Sequence, residues 1–97
     1  MGTAVDIGTL ITRDPRIRGG RPIIADTGTT VRRIVGWYQL GLDPEEIVRR
    51  TGHLTLAQVY AALAYYHANR EEIDADIAQE AEDYERIYEE YQANKNK

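Results

Sequence analysis

The sequence predicts a mostly α-helical protein in which a short N-terminal β-ribbon precedes a three-helix domain of helix-turn-helix type and a long C-terminal helix. Three observations predict this order. Most glycines and prolines lie in the first third of the chain, helix-start and helix-stop residues alternate over residues 30–70, and residues 71–91 contain neither glycine nor proline. We therefore divide the 97 residues into a body over residues 1–70 and an acidic C-terminal helix and tail over residues 71–97.

Two extended segments are predicted at the N-terminus. Residues 8–12 and 21–25 are rich in aliphatic and β-branched side chains, and a turn through Asp14-Pro15 and Gly19-Gly20 lies between them. Pro22 has no amide hydrogen to donate to a ladder. The second strand is therefore expected to be very short or to lie at an edge.

This ribbon predicts an assembly. Two strands are unstable alone, so they must pack on the helices or pair with another chain, and a core of this size is marginal for a monomer. We expect a homodimer with residues 10–12 and 22–24 near its two-fold axis.

Capping residues mark three helices in the rest of the body. The first helix begins after Thr30 and ends at Gly41. The second begins at Asp43-Pro44, which places an N-cap residue before a proline, and it ends at Gly52. The third begins at Thr55 with a capping-box pattern and continues to the end of the body.

The second and third helices have the lengths and the glycine turn of a helix-turn-helix motif. In that motif the start of the second helix enters the major groove of DNA, where Thr55 and Gln58 are expected to contact base edges. The side chains expected to hold the flanking phosphates are Arg32, Arg33, Arg49, Arg50 and His53. The alternative is structural, because the first pair can cap the helix and basic residues in a last turn complement the helix dipole.

Charge separates the body from the C-terminal helix. Residues 1–70 contain nine arginines and six acidic residues, whereas residues 71–97 contain ten acidic residues and three basic ones.

An apolar stripe also follows the C-terminal helix. We assign it to partner binding, and it consists of Ile73, Ile77, Tyr84, Ile87, Tyr88 and Tyr91. Tyrosine favours interfaces because its hydroxyl can stay hydrated; the alternatives are a solvated surface helix or docking on the body's own arginines.

Several function classes are disfavoured. The absence of cysteine excludes disulfides, thiolate metal sites and a cysteine nucleophile. No metalloprotease, P-loop or serine-hydrolase motif is present, so we expect no enzymatic activity, no cofactor and no metal. The longest apolar run, residues 60–66, is too short to cross a bilayer, and the first residues lack a secretory pattern. We therefore expect a cytoplasmic protein with no membrane partner.

An ordered set of residues runs through the body. Its members are Asp14-Pro15, Gly19–Ile24, Thr27, Val31, Gly41, Glu45–Ile47, Leu54-Thr55, Val59, Ala62-Leu63 and Tyr65. This set resembles the signature of the "domain of unknown function 433" family of small bacterial and archaeal proteins, many of which are similar to antitoxins of the VapB type. The resemblance implies a DNA-binding helical domain, a dimer through the N-terminal ribbon, and a C-terminal segment that binds a toxin with a PIN-like ribonuclease fold.

These observations predict a DNA-binding, antitoxin-like protein that neutralises a PIN-like ribonuclease toxin and binds its own operator. The alternative is a non-enzymatic helical dimerisation or interaction module without nucleic-acid binding. Salt separates the two, because phosphate binding weakens steeply with ionic strength and an apolar interface hardly responds. We expect truncation after Arg70 to leave the body folded and dimeric and to abolish partner binding.

Overall fold

Four helices follow a two-stranded ribbon in the computed structural model, which describes residues 4–95. The ribbon pairs β1 (Ile11–Thr12) with β2 (Ile23–Ile24) in antiparallel register. The helices are α1 (Val31–Gln39), α2 (Pro44–Thr51), α3 (Leu56–Ala68) and α4 (Arg70–Lys95). The predicted fold class, mostly helical with a short N-terminal ribbon and a long last helix, is confirmed. Residues 96–97 of the predicted tail lie outside the described residues.

The first strand is shorter than predicted, because residues before it form a 3₁₀ turn over Ile7–Leu10. The Asp6 carboxylate accepts a hydrogen bond from the amide of Gly8 at 2.9 Å. The hydroxyl of Thr9 donates to the carbonyl of Asp6 at 2.6 Å. Such local bonds from short polar side chains compete with strand pairing. The prediction of a strand over residues 8–12 is corrected to its last two residues.

Strand β2 has neighbours on both sides within one chain. Besides β1, it contacts the segment before α1: the amide of Ile24 donates to the carbonyl of Thr29 at 2.9 Å, and Ile23 bridges to Thr30. Residues 22–24 are buried in the protomer. The homodimer itself stays a prediction, but these residues are already covered and we no longer assign them to its interface.

The three body helices begin at the predicted caps. The hydroxyl oxygen of Thr30 accepts from the amide of Arg33 at 3.2 Å, and the Asp43 carboxylate accepts from the amide of Glu46 at 2.9 Å. Gly52 ends α2 with φ of +75°, a left-handed conformation that glycine adopts at little cost.

The core lies between α1, α3 and the beginning of α4. Its fully buried large side chains come from β2 and from all four helices: Ile23, Ile24, Val31, Ile34, Val35, Ile47, Val59 and Ile73. Ile73 is 0% exposed, and Ile77, one turn further along, packs partly buried against the same cluster. Both were predicted to bind a partner. We correct that assignment, because their apolar surface already covers the core of their own chain.

The second half of α4 extends past the body. A helix of 26 residues is about 39 Å long, which exceeds the size of a small three-helix core. The described residues accordingly span 65 Å in one direction and only 28 and 23 Å in the other two. Within residues 4–95, no helix combines the length and the apolar composition that crossing a bilayer requires.

Candidate nucleic-acid interface

The α2–α3 unit has the arrangement of a helix-turn-helix. Helices α2 and α3 pack together, and the residues between them turn through Gly52. Leu54, in this turn, is 5% exposed and belongs to the core cluster. The Leu54 side chain therefore anchors the turn, and with it the start of α3, in the core of the body.

The two predicted base-contacting residues bond to each other. The hydroxyl oxygen of Thr55 accepts from the amide of Gln58 at 3.2 Å, and the Gln58 side-chain oxygen accepts from the amide of Thr55 at 2.8 Å. The structural alternative, a capping box, is what forms. The Gln58 side-chain NH₂ group is still a donor. Tyr60, which sequence reasoning missed, is 55% exposed on the same helix and carries a hydroxyl.

Arg32 is engaged by the acidic helix. Its guanidinium lies 3.0 Å from the Asp76 carboxylate and 3.0 Å from that of Glu80, and its side chain is only 17% exposed. Arg21 also bonds to the same Asp76 oxygen, at 2.7 Å. The prediction that Arg32 contacts phosphate is corrected: it fastens α4 to α1. Its acidic partners, 44 and 48 residues away in the sequence, could not be identified from spacing.

Arg49 and Arg50 lie exposed in the last turn of α2. Both guanidinium groups pair with the carboxylate of Glu46 one turn earlier. The hydrogen bond from Arg49, and then that from Arg50, lowers the pKa of Glu46 below its ordinary value. Exposed pairs of this kind are weak and screened, so an incoming phosphate can replace the carboxylate.

A cleft of about 540 Å³ opens between the loop that precedes α1 and the α2–α3 turn. Its lining residues are Arg18, Gly28, Thr29, Thr30, Arg32, Arg33, His53 and Glu80. Among the predicted phosphate contacts, Arg33 and His53 come together here. Arg18 was not predicted, since nothing in its surroundings in the sequence indicated that the turn would direct it toward α1.

The acidic helix divides into two parts. We call residues 70–80 the docked segment and residues 84–94 the arm. The arm carries the rest of the predicted partner stripe, with exposed fractions of 74%, 60%, 54% and 59% for Tyr84, Ile87, Tyr88 and Tyr91. These four side chains lie on the arm as an apolar surface that the described residues of the chain do not cover.

A polar cluster fixes the docked segment to the ribbon and to α3. Arg13 pairs with Glu72, and the Tyr65 hydroxyl donates to the same carboxylate at 2.8 Å. Hydrogen bonding to Arg13 lowers the pKa of Glu72, whereas burial is the main cause that raises the pKa of Tyr65. Tyr66 adds a bond from its hydroxyl to Asp74 at 2.9 Å. The docked segment is therefore attached by polar bonds as well as by Ile73.

A family model described as "Protein of unknown function (DUF433)" matches residues 11–66, which is more than half of the chain. The chain belongs to the DUF433 family. It is also similar to a solved DUF433 member protein from Anabaena variabilis ATCC 29413, with 33% sequence identity and a TM-score of 0.68 over 72% of this chain and 69% of that one. No curated protein matches.

The DUF433 match covers the ribbon and the α2–α3 unit and ends within α3. The cleft residues Arg18, Arg33 and His53 lie inside the match, whereas Glu80 and the arm lie outside it. The family region thus contains the basic surface, and the acidic helix is the part that the family model does not describe.

Proposed function

We propose that this DUF433 protein is a non-enzymatic DNA-binding protein of the antitoxin type, which binds the operator of its own operon and neutralises a ribonuclease toxin with a PIN-like fold. The observation that carries the proposal is the α2–α3 unit, in which two helices are joined by a turn with a buried Leu54 and with exposed basic side chains around it. The exposed arm supports the second half of the proposal.

For DNA, the support is charge placed around a helix start. Arg33, Arg49, Arg50 and His53 are exposed near the turn of the α2–α3 unit. Cations in this position hold the phosphates on both sides of a groove. We assign the recognition of DNA bases to the NH₂ group of Gln58, because the Gln58 oxygen and the Thr55 hydroxyl oxygen already accept hydrogen bonds in the capping box.

For the toxin, the support is the composition of the arm. An exposed apolar stripe at helical spacing is flanked by Glu85, Glu89 and Glu90. A ribonuclease groove is basic because it binds RNA, and the same field attracts carboxylates. The arm would occupy that groove in place of the RNA backbone, with its tyrosines packed against the apolar part of the toxin.

A second candidate function is an interaction module without nucleic-acid binding. The observation that favours it is the internal engagement of Arg32, Thr55 and Gln58, three of the seven predicted DNA contacts. In this case the arm alone carries the function. We retain the homodimer in both cases, and light scattering at micromolar concentration tests it, with a stable monomer as the contrary result.

The test of DNA binding is fluorescence anisotropy with a duplex taken from the region upstream of the reading frame, over a series of salt concentrations. Replacing Arg49 and Arg50 together by alanine should weaken binding to every sequence and reduce the log–log salt slope by about two. Arg86→Ala, an exposed arginine on the arm, is the matched control and should change neither.

Gln58→Ala separates base reading from capping. If Gln58 reads bases, the variant should bind unrelated duplexes as well as the native chain does and lose only its preference for the operator. Equal loss on all sequences would reduce Gln58 to a capping residue. Absence of binding at low salt would contradict the DNA proposal and leave the interaction module.

A further inference from the structure

We infer that the cleft lined by Arg18, Arg33, His53 and Thr29 is a phosphate-binding site, with Glu80 of the acidic helix as the resident carboxylate that competes with the phosphate. The inference extends the proposed function. It rests on that function only for the identity of the molecule that carries the phosphate. A nucleic-acid backbone and a small phosphate-bearing molecule offer the same chemistry, and the experiment below distinguishes them.

Three side chains from separate parts of the body converge on the cleft. Arg18 comes from the turn between the strands, Arg33 from the first turn of α1, and His53 from the α2–α3 turn, and all three line one cleft of about 540 Å³. The arginine charges repel one another, so a concave site that contains more of them than carboxylates favours an incoming anion. A volume of this size accommodates a phosphate together with part of the molecule that carries it.

The backbone of Arg18 has an unfavourable conformation. Its φ is +51°, a left-handed value that is strained for a residue with a side chain. Its Nε donates to the carbonyl of Gly28 at 2.9 Å, which fixes the guanidinium at the cleft. Within residues 4–95, its terminal nitrogens make no hydrogen bond or ion pair. Both terminal nitrogens of this exposed guanidinium are therefore available to a ligand in the cleft.

The positive charge in the cleft is not fully balanced by carboxylates of the described residues. Arg33 has no carboxylate partner among the described residues, and its guanidinium lies 5.0 Å from the centre of the Trp37 ring. The N-terminus of α1, where Arg33 is located, adds the positive end of the helix dipole. The cleft therefore carries two arginine charges that the chain does not neutralise.

The remaining groups suit a phosphate. The Nε2 atom of His53 lies 3.5 Å from the hydroxyl of Thr29, and its Nδ1 is 2.9 Å from the carbonyl of Thr51. The contact with the Thr51 carbonyl holds the ring with its Nε2 edge beside Thr29, where both side chains line the cleft. The Thr29 hydroxyl supplies a neutral donor beside it.

Glu80 gives the site its competitor. Its carboxylate lies 3.0 Å from Arg32 and lines the same cleft, while its side chain is 58% exposed. A bound phosphate would stand near this negative charge, which opposes binding. The acidic helix thus lowers the phosphate affinity of a cleft that is formed mostly by the family region. Removing the charge of Glu80 should raise that affinity.

The experiment is a titration of the full-length protein with inorganic phosphate, followed by ¹H–¹⁵N NMR at neutral pH and constant ionic strength, with chloride as the exchanged anion. Arg18→Ala and Arg33→Ala should each weaken phosphate binding about tenfold. Arg16→Ala is the matched control, because Arg16 is exposed and, within residues 4–95, its side chain pairs with Asp14 alone.

Glu80→Gln keeps the size of the side chain and removes its charge, and it should tighten phosphate binding about threefold. Glu85→Gln on the arm is its control and should leave the affinity unchanged. Circular dichroism of each variant checks that the helices are retained. A native-like Arg18 or Arg33 variant with unchanged affinity, or weakening by Arg16→Ala to the same extent, would overturn the inference.

Repeating the binding measurements on the variants with duplex DNA identifies the molecule that carries the phosphate. If Arg18→Ala and Arg33→Ala weaken both ligands, the phosphate belongs to the nucleic acid and both proposals are supported. If they weaken inorganic phosphate while the protein binds no duplex, the cleft is upheld as a small-molecule phosphate site and the DNA proposal fails. If the native protein binds no inorganic phosphate and both variants bind duplex DNA as tightly as the native protein does, the cleft inference fails and the α2–α3 proposal stands.

Discussion

The docked segment and the arm are two parts of one helix that have the same sequence pattern and opposite environments. Each has apolar residues at helical spacing between acidic ones. Ile73 in the docked segment is fully buried, whereas Ile87 in the arm is 60% exposed. An amphipathic pattern therefore predicts that one face of a helix is covered, but it does not identify the part of the protein or the partner that covers it.

The acidic residues differ in the same way. Asp76 and Glu72 in the docked segment bond to arginines of the ribbon and of α1. Among the described residues, Asp83, just before the arm, bonds to Gln79 and Arg86 on its own helix. The carboxylates that bond to other elements therefore stabilise the fold of their own chain, whereas those of the arm face solvent. Variants in matched pairs, one from each part, test this division.

The largest effect is expected from truncation. Ending the chain after Arg70 removes Ile73 and its surrounding ion pairs, so we expect destabilisation of about 4 kcal/mol or more, a large part of the stability of a small domain. This corrects the expectation that the body folds without the helix. Ending the chain after Asp83 should change stability by less than about 1 kcal/mol. Urea unfolding compares them; equal midpoints would contradict the division.

Single apolar substitutions come next. Ile73→Ala should cost about 3 kcal/mol, because it leaves a cavity among fully buried neighbours. Ile87→Ala should cost less than about 0.5 kcal/mol, because the side chain is already in water. Thermal unfolding measures both. A large loss for Ile87→Ala would mean that the arm is covered in solution, by a second copy or by the body.

The ion pairs give a smaller effect. Asp76→Asn leaves Arg21 and Arg32 without their shared counter-charge, and we expect a loss of about 2 kcal/mol. Asp83→Asn is the control from the exposed part and should change stability by less than about 0.5 kcal/mol. Chemical denaturation in low and high salt separates the two, and similar losses for both would show that Asp76 is not a fastening residue.

The smallest effect concerns pH. The pKa of Glu72 is lowered in the folded chain chiefly by its hydrogen bond to Arg13, so its ionised form stabilises the fold. That contribution is complete above the unfolded pKa of about 4.3 and is lost as the pH falls through the folded value. Glu72→Gln should therefore be less stable than the native chain at neutral pH and equal to it in strong acid. Urea unfolding at each pH measures both chains, and equal stabilities at neutral pH would contradict the prediction.

Local signals predicted most of the body. Helices α1, α2 and α3 begin at Thr30, Asp43 and Thr55 as expected, because capping is decided by residues within one turn of each other. The prediction of the first strand was wrong because it considered only the spacing of apolar residues. The hydrogen bonds around Asp6 are also local, and they form a turn in place of the strand. Where a short polar side chain can close a turn, periodicity over five residues is a weak guide.

The site was harder to predict because its contacts are distant in the sequence. Nothing near Arg32 indicates that Asp76 and Glu80 cover it, and nothing near Arg18 indicates that it meets His53. The sequence places basic residues around the α2–α3 unit, but it does not distinguish cations bound to the acidic helix from those facing solvent. That distinction depends on how α4 lies on α1.

Amide hydrogen exchange of the isolated full-length protein tests the division of α4 most directly. We predict slow exchange in the docked segment, comparable to that of α1 and α3, because its amides open only when the core opens. The arm should exchange much faster, because an uncovered helix end of this length is only marginally stable in water. Equal protection along the whole of α4 would contradict the account by showing that the arm is already covered, and fast exchange throughout would contradict it by showing that the docked segment is not part of the core.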